Sequence, residues 1–194
     1  MNSPKRTKKL VSQDIRIVTA ALNPKDTARV GDNSVAVACT DGTSEAGVAS
    51  TAIAGVRGKA TAGNYSVAIC GDGGTAKSAA NGYSISYDDG TAIAGEGDGG
   101  VAITRLRGKA VVNGMWGVAL AQNAGQATLN GRWGVAIAMD GGSVSGKAGC
   151  LLVAKYLAGE EYRFAIGVVG QCGILADKLY VADGRGGLKQ AGAK

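Results

Sequence analysis

One apolar phrase, returning at nearly constant intervals, limits this chain to very few folds. It reads Val35-Ala36-Val37-Ala38, Thr51-Ala52-Ile53-Ala54, Val67-Ala68-Ile69-Cys70, Tyr83-Ser84-Ile85-Ser86, Val101-Ala102-Ile103-Thr104, Val118-Ala119-Leu120-Ala121, Val135-Ala136-Ile137-Ala138 and Leu151-Leu152-Val153-Ala154, with steps of 16, 16, 16, 18, 17, 17 and 16 residues. A regular period of this kind marks an array of stacked structural units. Within each phrase the side chains alternate with period two, and turn dipeptides arrive too often for a helix. After the phrase comes Asp41-Gly42, Arg57-Gly58, Asp89-Gly90, Arg107-Gly108 or Ala124-Gly125, where glycine is expected to supply the positive φ of a tight corner. A second, more polar phrase follows ("GKATAG", "GTAKSA", "GTAIAG", "GKAVVNG", "GQATLNG"), and Asn-Gly or Gly turns the chain back. Two short strands and two corners per repeat predict an all-β fold. It is a narrow parallel β-solenoid, a β-roll of about 16 residues per coil in which each strand pairs with its equivalent in the next coil. At a strand spacing of about 4.8 Å, eight coils make a rod on the order of 40 Å long.

Composition says what such a coil can hold inside. Glycine accounts for 33 residues, aromatics for 5% and phenylalanine for one, Phe164, while the apolar fraction is 45%. Small side chains must therefore build the core. The expected organisation is a disordered basic tail at 1–9, an N-terminal cap at 10–30, the solenoid at 31–155 and a strand-rich C-terminal cap or meander at 156–194, the last carrying "YRFAIGVVG" and "KLYVADG". Caps are needed because a bare terminal coil offers an open pairing edge.

Alternation assigns faces. In the second strand Ala60, Ala62, Ala76, Ala92, Ala94, Ala110, Val112, Ala127, Leu129 and Val144 should point inward, leaving Lys59, Thr61, Thr75, Lys77, Thr91, Lys109, Gln126, Thr128, Ser143 and Ser145 to water. In the first strand hydrophobicity places Val35, Val37, Ile53, Val67, Ile69, Val101, Ile103, Val118, Leu120, Val135 and Ile137 inside. Ala36, Ala52, Ala68, Ala102, Ala119 and Ala136 then form a flat outward ladder. A parallel strand apolar on both faces is usually covered on both, so this ladder is the expected interface of a dimer or trimer.

The phrases Asn33-Ser34-Val35-Ala36-Val37 and Tyr65-Ser66-Val67-Ala68-Ile69 resemble the Ser-Val-Ala-Ile-Gly repeats of trimeric autotransporter adhesin heads, over about residues 31 to 154. The resemblance implies a left-handed β-roll that trimerises. The whole layout, a glycine-rich roll followed by a short strand-rich tail after Cys150, is also similar to small β-solenoid proteins of bacteria and their phages.

The chain has no histidine, which removes the usual activators of Ser and Cys nucleophiles and the commonest metal ligand. No catalytic residue, metal ligand or cofactor is assigned. Asp88, Asp89, Glu96 and Asp98 read as acidic turn residues, and Cys39, Cys70, Cys150 and Cys172, without a CxxC pair, read as reduced thiols. The formal net charge of +6 is concentrated at the start, in Lys5, Arg6, Lys8, Lys9, Arg16, Lys25 and Arg29. The roll itself is nearly neutral, which argues against nucleic acid as partner. No apolar run is long enough to span a bilayer, and Gln13, Asp14 and Arg16 interrupt any secretory core, so a cytoplasmic location is expected.

What remains is an aromatic corner. "NGMWGVALA" at Asn113 and "NGRWGVAIA" at Asn130 place Trp116 and Trp133 at one corner position of consecutive coils, in file with Tyr65 and beside Met115 and Arg132. Aromatic and Arg side chains dominate protein-binding hot spots. The sequence therefore reads as a non-enzymatic oligomeric binding protein that neutralises a partner protein, such as a toxin or a defence protein. Two alternatives are a sequestering protein for nucleotides or other anionic ligands, through Arg57, Arg105 and Arg107, and a structural or adhesive module such as an adhesin head or virion spike.

Overall fold

The computed structural model describes residues 18–95 and 97–192. In chain order the strands are β1 (Val18–Ala21), β2 (Thr27–Arg29), β3 (Val35–Ala38), β4 (Thr43–Ala46), β5 (Thr51–Ala54), β6 (Lys59–Ala62), β7 (Val67–Cys70), β8 (Thr75–Ser78), β9 (Tyr83–Ser86), β10 (Thr91–Ala94), β11 (Val101–Thr104), β12 (Lys109–Val112), β13 (Val118–Ala121), β14 (Gln126–Leu129), β15 (Val135–Ala138), β16 (Ser143–Ser145), β17 (Leu151–Ala158), β18 (Glu161–Val168), β19 (Tyr180–Ala182) and β20 (Leu188–Gln190). No helix occurs among the described residues. Odd-numbered strands β1 to β17 stack in parallel as one wall and even-numbered strands β2 to β16 as the other. The chain is thus a parallel β-solenoid of about eight turns. Its register follows the repeat, with Val67 beside Tyr83 and Ala68 beside Ser84.

Two expectations change. Residues 18–30 are not a separate cap: β1 and β2 pair in parallel with β3 and β4 and form the first coil. The basic tail at 1–9 and the start of the expected cap lie outside the described residues. More consequentially, the first wall is turned the other way. Ala36, Ala52, Ala68, Ala102, Ala119 and Ala136 are fully buried and point into the coil, while Val35, Val37, Ile53, Val67, Ile69, Val101, Ile103, Val118, Leu120, Val135 and Ile137 are partly exposed on the outside. The alanine ladder is therefore core and no oligomer interface. Volume, not hydrophobicity, decides here: in most coils each wall sends little more than a methyl or hydroxymethyl inward, and larger groups such as Val112, Leu129, Val144 and Leu152 enter only in the later coils.

The corners show the same constraint. At the first corner Gly42, Gly58, Gly74, Gly90, Gly108, Gly125 and Gly142 are buried, and a methyl on Gly42 or Gly58 would lie 2.9 or 2.8 Å from the Cβ of Ala38 or Ala54. Positive φ is carried by the preceding residue instead: Asp41 (56°), Arg57 (54°), Asp89 (56°), Arg107 (52°) and Ala124 (60°). Glycine there provides room for close approach. At the second corner, volume is exchanged between neighbours. Ser34, Ser50 and Ser66 occupy the position before the first-wall strand in early coils, and glycine occupies it where Val112 and Leu129 fill the interior. A methyl on Gly117 would strike Val112 Cγ1.

The serine file satisfies its own buried groups: Ser34 N–H donates to Ser50 Oγ at 3.1 Å, and Ser50 N–H to Ser66 Oγ at 3.0 Å. The second wall follows its expected alternation, with Ala60, Ala62, Ala76, Ala92, Ala94, Ala110, Val112, Ala127, Leu129 and Val144 all buried.

The far end is closed by antiparallel strands. β17 outruns the coil and folds back as β18, extending the first wall, and β19 with β20 extends the second. Between them Val169, Ile174 and Tyr180 cover Leu152 and Val144, uniting the last coils into one apolar cluster. The Tyr180 hydroxyl accepts the Leu175 N–H at 2.7 Å, so the one large ring in this plug leaves no polar atom stranded.

Candidate partner-binding corner

The second corner runs as a file of residues with left-handed backbone: Asn33 (φ 52°), Ala49 (53°), Tyr65 (54°), Asn81 (54°), Gly99 (66°), Trp116 (55°), Trp133 (59°) and Gly149 (81°). Amide bonds to the next coil tie it together, among them Tyr65 N to Ala80 O at 3.0 Å, Gly99 N to Met115 O at 2.7 Å and Trp116 N to Arg132 O at 3.0 Å. Asn and Gly are the residues that accept this conformation most readily, and a bulky ring accepts it poorly. Nothing in the coil requires an aromatic there, since Asn33, Asn81 and Gly99 make the same turn.

Trp116 and Trp133 nevertheless occupy it in consecutive coils. Their rings stack with centroids 5.8 Å apart and planes inclined by 21°, and they remain 59% and 54% exposed. Trp133 also lies over Gly149, where an added methyl would come within 2.9 Å of its Cδ1. A bare rung is thus needed for the stack to settle. Behind the rings Asn130 Nδ2 donates to Asn113 Oδ1 at 2.8 Å, holding the two coils in step.

Comparison with protein-family models, with curated proteins and with solved structures finds no match to this chain.

Of the residues singled out in the sequence, the fold brings together Met115, Trp116, Arg132 and Trp133. Met115 is half-buried against the neighbouring coil, pairing its backbone with Asp98, and Arg132 is exposed beside Trp133. Tyr65, 68% exposed, belongs to the same file but is separated from Trp116 by Asn81 and Gly99. It forms no part of the stacked pair.

The opposite corner has different chemistry from that expected. Arg57 donates from Nε and Nη2 to both oxygens of Asp41 at 2.8 and 2.9 Å, Arg105 to Asp88 at 2.6 and 2.9 Å, and Arg107 to Asp89 at 2.8 and 2.7 Å. These forked hydrogen bonds hold the carboxyls of Asp41, Asp88 and Asp89 below their ordinary range and raise the three guanidiniums. Each guanidinium of Arg57, Arg105 and Arg107 is thus engaged by a carboxylate of the preceding coil. Arg105 also lies 5.5 Å from the Tyr87 ring centre.

The acidic residues are likewise dispersed. Asp88 and Asp89 stand on this corner, Asp98 stands on the other, and Glu96 lies outside the described residues. Among the described residues no group of His, Cys, Asp and Glu is arranged to hold a metal ion.

A further surface escapes the sequence reading. Leu157, Tyr162, Phe164 and Ile166 are exposed on the β17–β18 hairpin, on the outward side that continues Leu151 and Val153. The alternation in "YRFAI" carries that signal, but a strand-rich cap accounts for the same pattern.

Proposed function

We propose that this chain is a rigid binding protein, acting in the cytoplasm, that captures another protein through the Met115–Trp116–Arg132–Trp133 corner and neutralises it by covering its surface. The observation that carries this reading is the placement of two stacked, exposed tryptophans in left-handed backbone that the same file gives mostly to Asn and Gly, with Ala49 and Tyr65 besides. Backbone of this kind costs about 1–2 kcal/mol per residue for an ordinary L side chain. Stacking returns only about 0.5–1.5 kcal/mol. Side chains retained where they do not help folding point to a task outside folding. A stacked indole pair with an adjacent guanidinium supplies large, rigid contact area of the sort that dominates interfaces. The roll beneath it holds that area still.

The test is capture from a lysate of the native host, with identification of the retained protein and titration of the purified pair. Replacing both tryptophans by Asn, the residue the file uses at Asn33 and Asn81, is expected to weaken binding at least ~100-fold while leaving the fold intact. Unchanged affinity in the Trp116→Asn/Trp133→Asn protein would refute the reading.

A further inference from the structure

The outer face of the first wall is aliphatic along the length of the roll. On the nine parallel strands β1 to β17, up to Val153, the outward positions carry aliphatic side chains broken only by Ala20, Thr51 and Tyr83, and not one is charged. The second wall presents Lys59, Lys77 and Lys109 among threonines. Nine rungs at about 4.8 Å and four-residue strands at about 3.3 Å per residue give a strip of about 40 by 13 Å, or roughly 500 Å². That lies in the upper part of the roughly 300–600 Å² spanned by the largest apolar patch of a typical lone chain, a size at which such patches are often functional. Beyond Val153 the same side continues past Lys155, which is paired with Asp140, to Phe164 and Ile166, 50% and 59% exposed on strand β18, and together they approach the roughly 600 Å² per partner of the smaller specific interfaces.

We infer that this strip is buried against a second copy of the same chain. Spacing identifies the occupant. The side chains stand in files such as Ile53–Ile69–Ile85 and Ile103–Leu120–Ile137, one per rung, so a mating surface must repeat with the same rung length along the whole strip to interdigitate. A second roll does so by construction, and its own aliphatic files fill the grooves of the first as in a dry sheet-on-sheet zipper. A face without charge also matches the composition of permanent interfaces rather than transient ones. The inference rests on this wall alone and is independent of the tryptophan corner.

Light scattering on the purified full-length chain, with native mass spectrometry, tests it. The expected result is a closed assembly of two or more chains that persists on dilution to low micromolar concentration. Ile69→Lys/Ile103→Lys places two charges on the strip without touching the interior and is expected to give a monomer with an unchanged β-type circular dichroism spectrum. Should the double variant fold poorly, Ile103→Ser is the milder probe, expected to weaken association at least ~10-fold. Thr61→Lys on the second wall is expected to leave the mass unchanged. A monomeric wild-type protein, an aggregate without defined stoichiometry, or variants that keep the wild-type mass would each overturn the inference.

Discussion

The two walls of the roll share one rung spacing, one strand length and one interior, yet they turn different chemistry outward. On the second wall the outward side chains are mainly Lys, Thr, Gln and Ser, and hydrophobicity and size both send alanine inward. On the first wall nearly every position is apolar, so only size discriminates. In nearly every pair the smaller member, most often alanine, goes inside and the larger, most often valine or isoleucine, outside, Leu151–Leu152 being the exception. In a thick core the bulkiest aliphatic residue gains most from burial. In so narrow a two-walled coil it fits only where the facing positions are small, as at Leu129, next to Gly134.

Substitutions on the two walls test this contrast directly. Leu129, the largest wholly buried side chain on the second wall, should cost about 3 kcal/mol when cut to Ala, measured by urea unfolding. Ala102→Ile on the first wall should cost about 2 kcal/mol by overfilling the interior. A harmless Ala102→Ile would show that the first wall has been assigned the wrong way round. Ser44 sharpens the comparison from the other side: its hydroxyl is buried on the second wall without a hydrogen-bond partner. Ser44→Ala should therefore stabilise by about 1 kcal/mol in the same assay. Thr128→Ile, adjacent to Leu129 but outward, should change stability by no more than about 0.5 kcal/mol.

The smallest effect belongs to the corner between the walls. Asp41, Asp88 and Asp89 titrate below their ordinary value because their Arg partners hydrogen-bond the charged form. The stability they contribute is therefore complete above the unfolded-state value near 3.8 and is lost as pH falls through the lower folded-state value. Unfolding followed from about pH 6 to about pH 2 should show a shallow decline confined to the acid end. Asp88→Asn should flatten part of it, and the change is small since these pairs are exposed to solvent and screened.

The period makes the architecture legible, because steps of about sixteen residues in Val-Ala-Ile-type phrases admit few other folds. It also puts Trp116 over Trp133, as the structure has them. The inside of the first wall is not legible, since Val35-Ala36-Val37-Ala38 is apolar in both registers and the deciding quantity, the gap between walls, is a tertiary one. The turn residues mislead for a related reason. Glycine after Asp41 or Arg57 looks like the source of positive φ, whereas the structure needs its missing side chain more than its flexible backbone. Of the candidate sites, the tryptophan corner is visible because two nearly identical phrases carry the chain's two tryptophans at one position. At the arginine corner the charges are visible in the sequence and their pairing across coils is not: each partner lies 16 to 18 residues away.

The chain contains two tryptophans, and they face each other. Its indole absorption and emission consequently originate from a single coupled pair rather than from scattered sites. An exciton couplet from the strong far-ultraviolet indole band would vanish as soon as the two coils that carry them lose register, even with the rest of the roll wound. The molecule thus carries an optical gauge of local unwinding, positioned at the corner proposed to bind a partner.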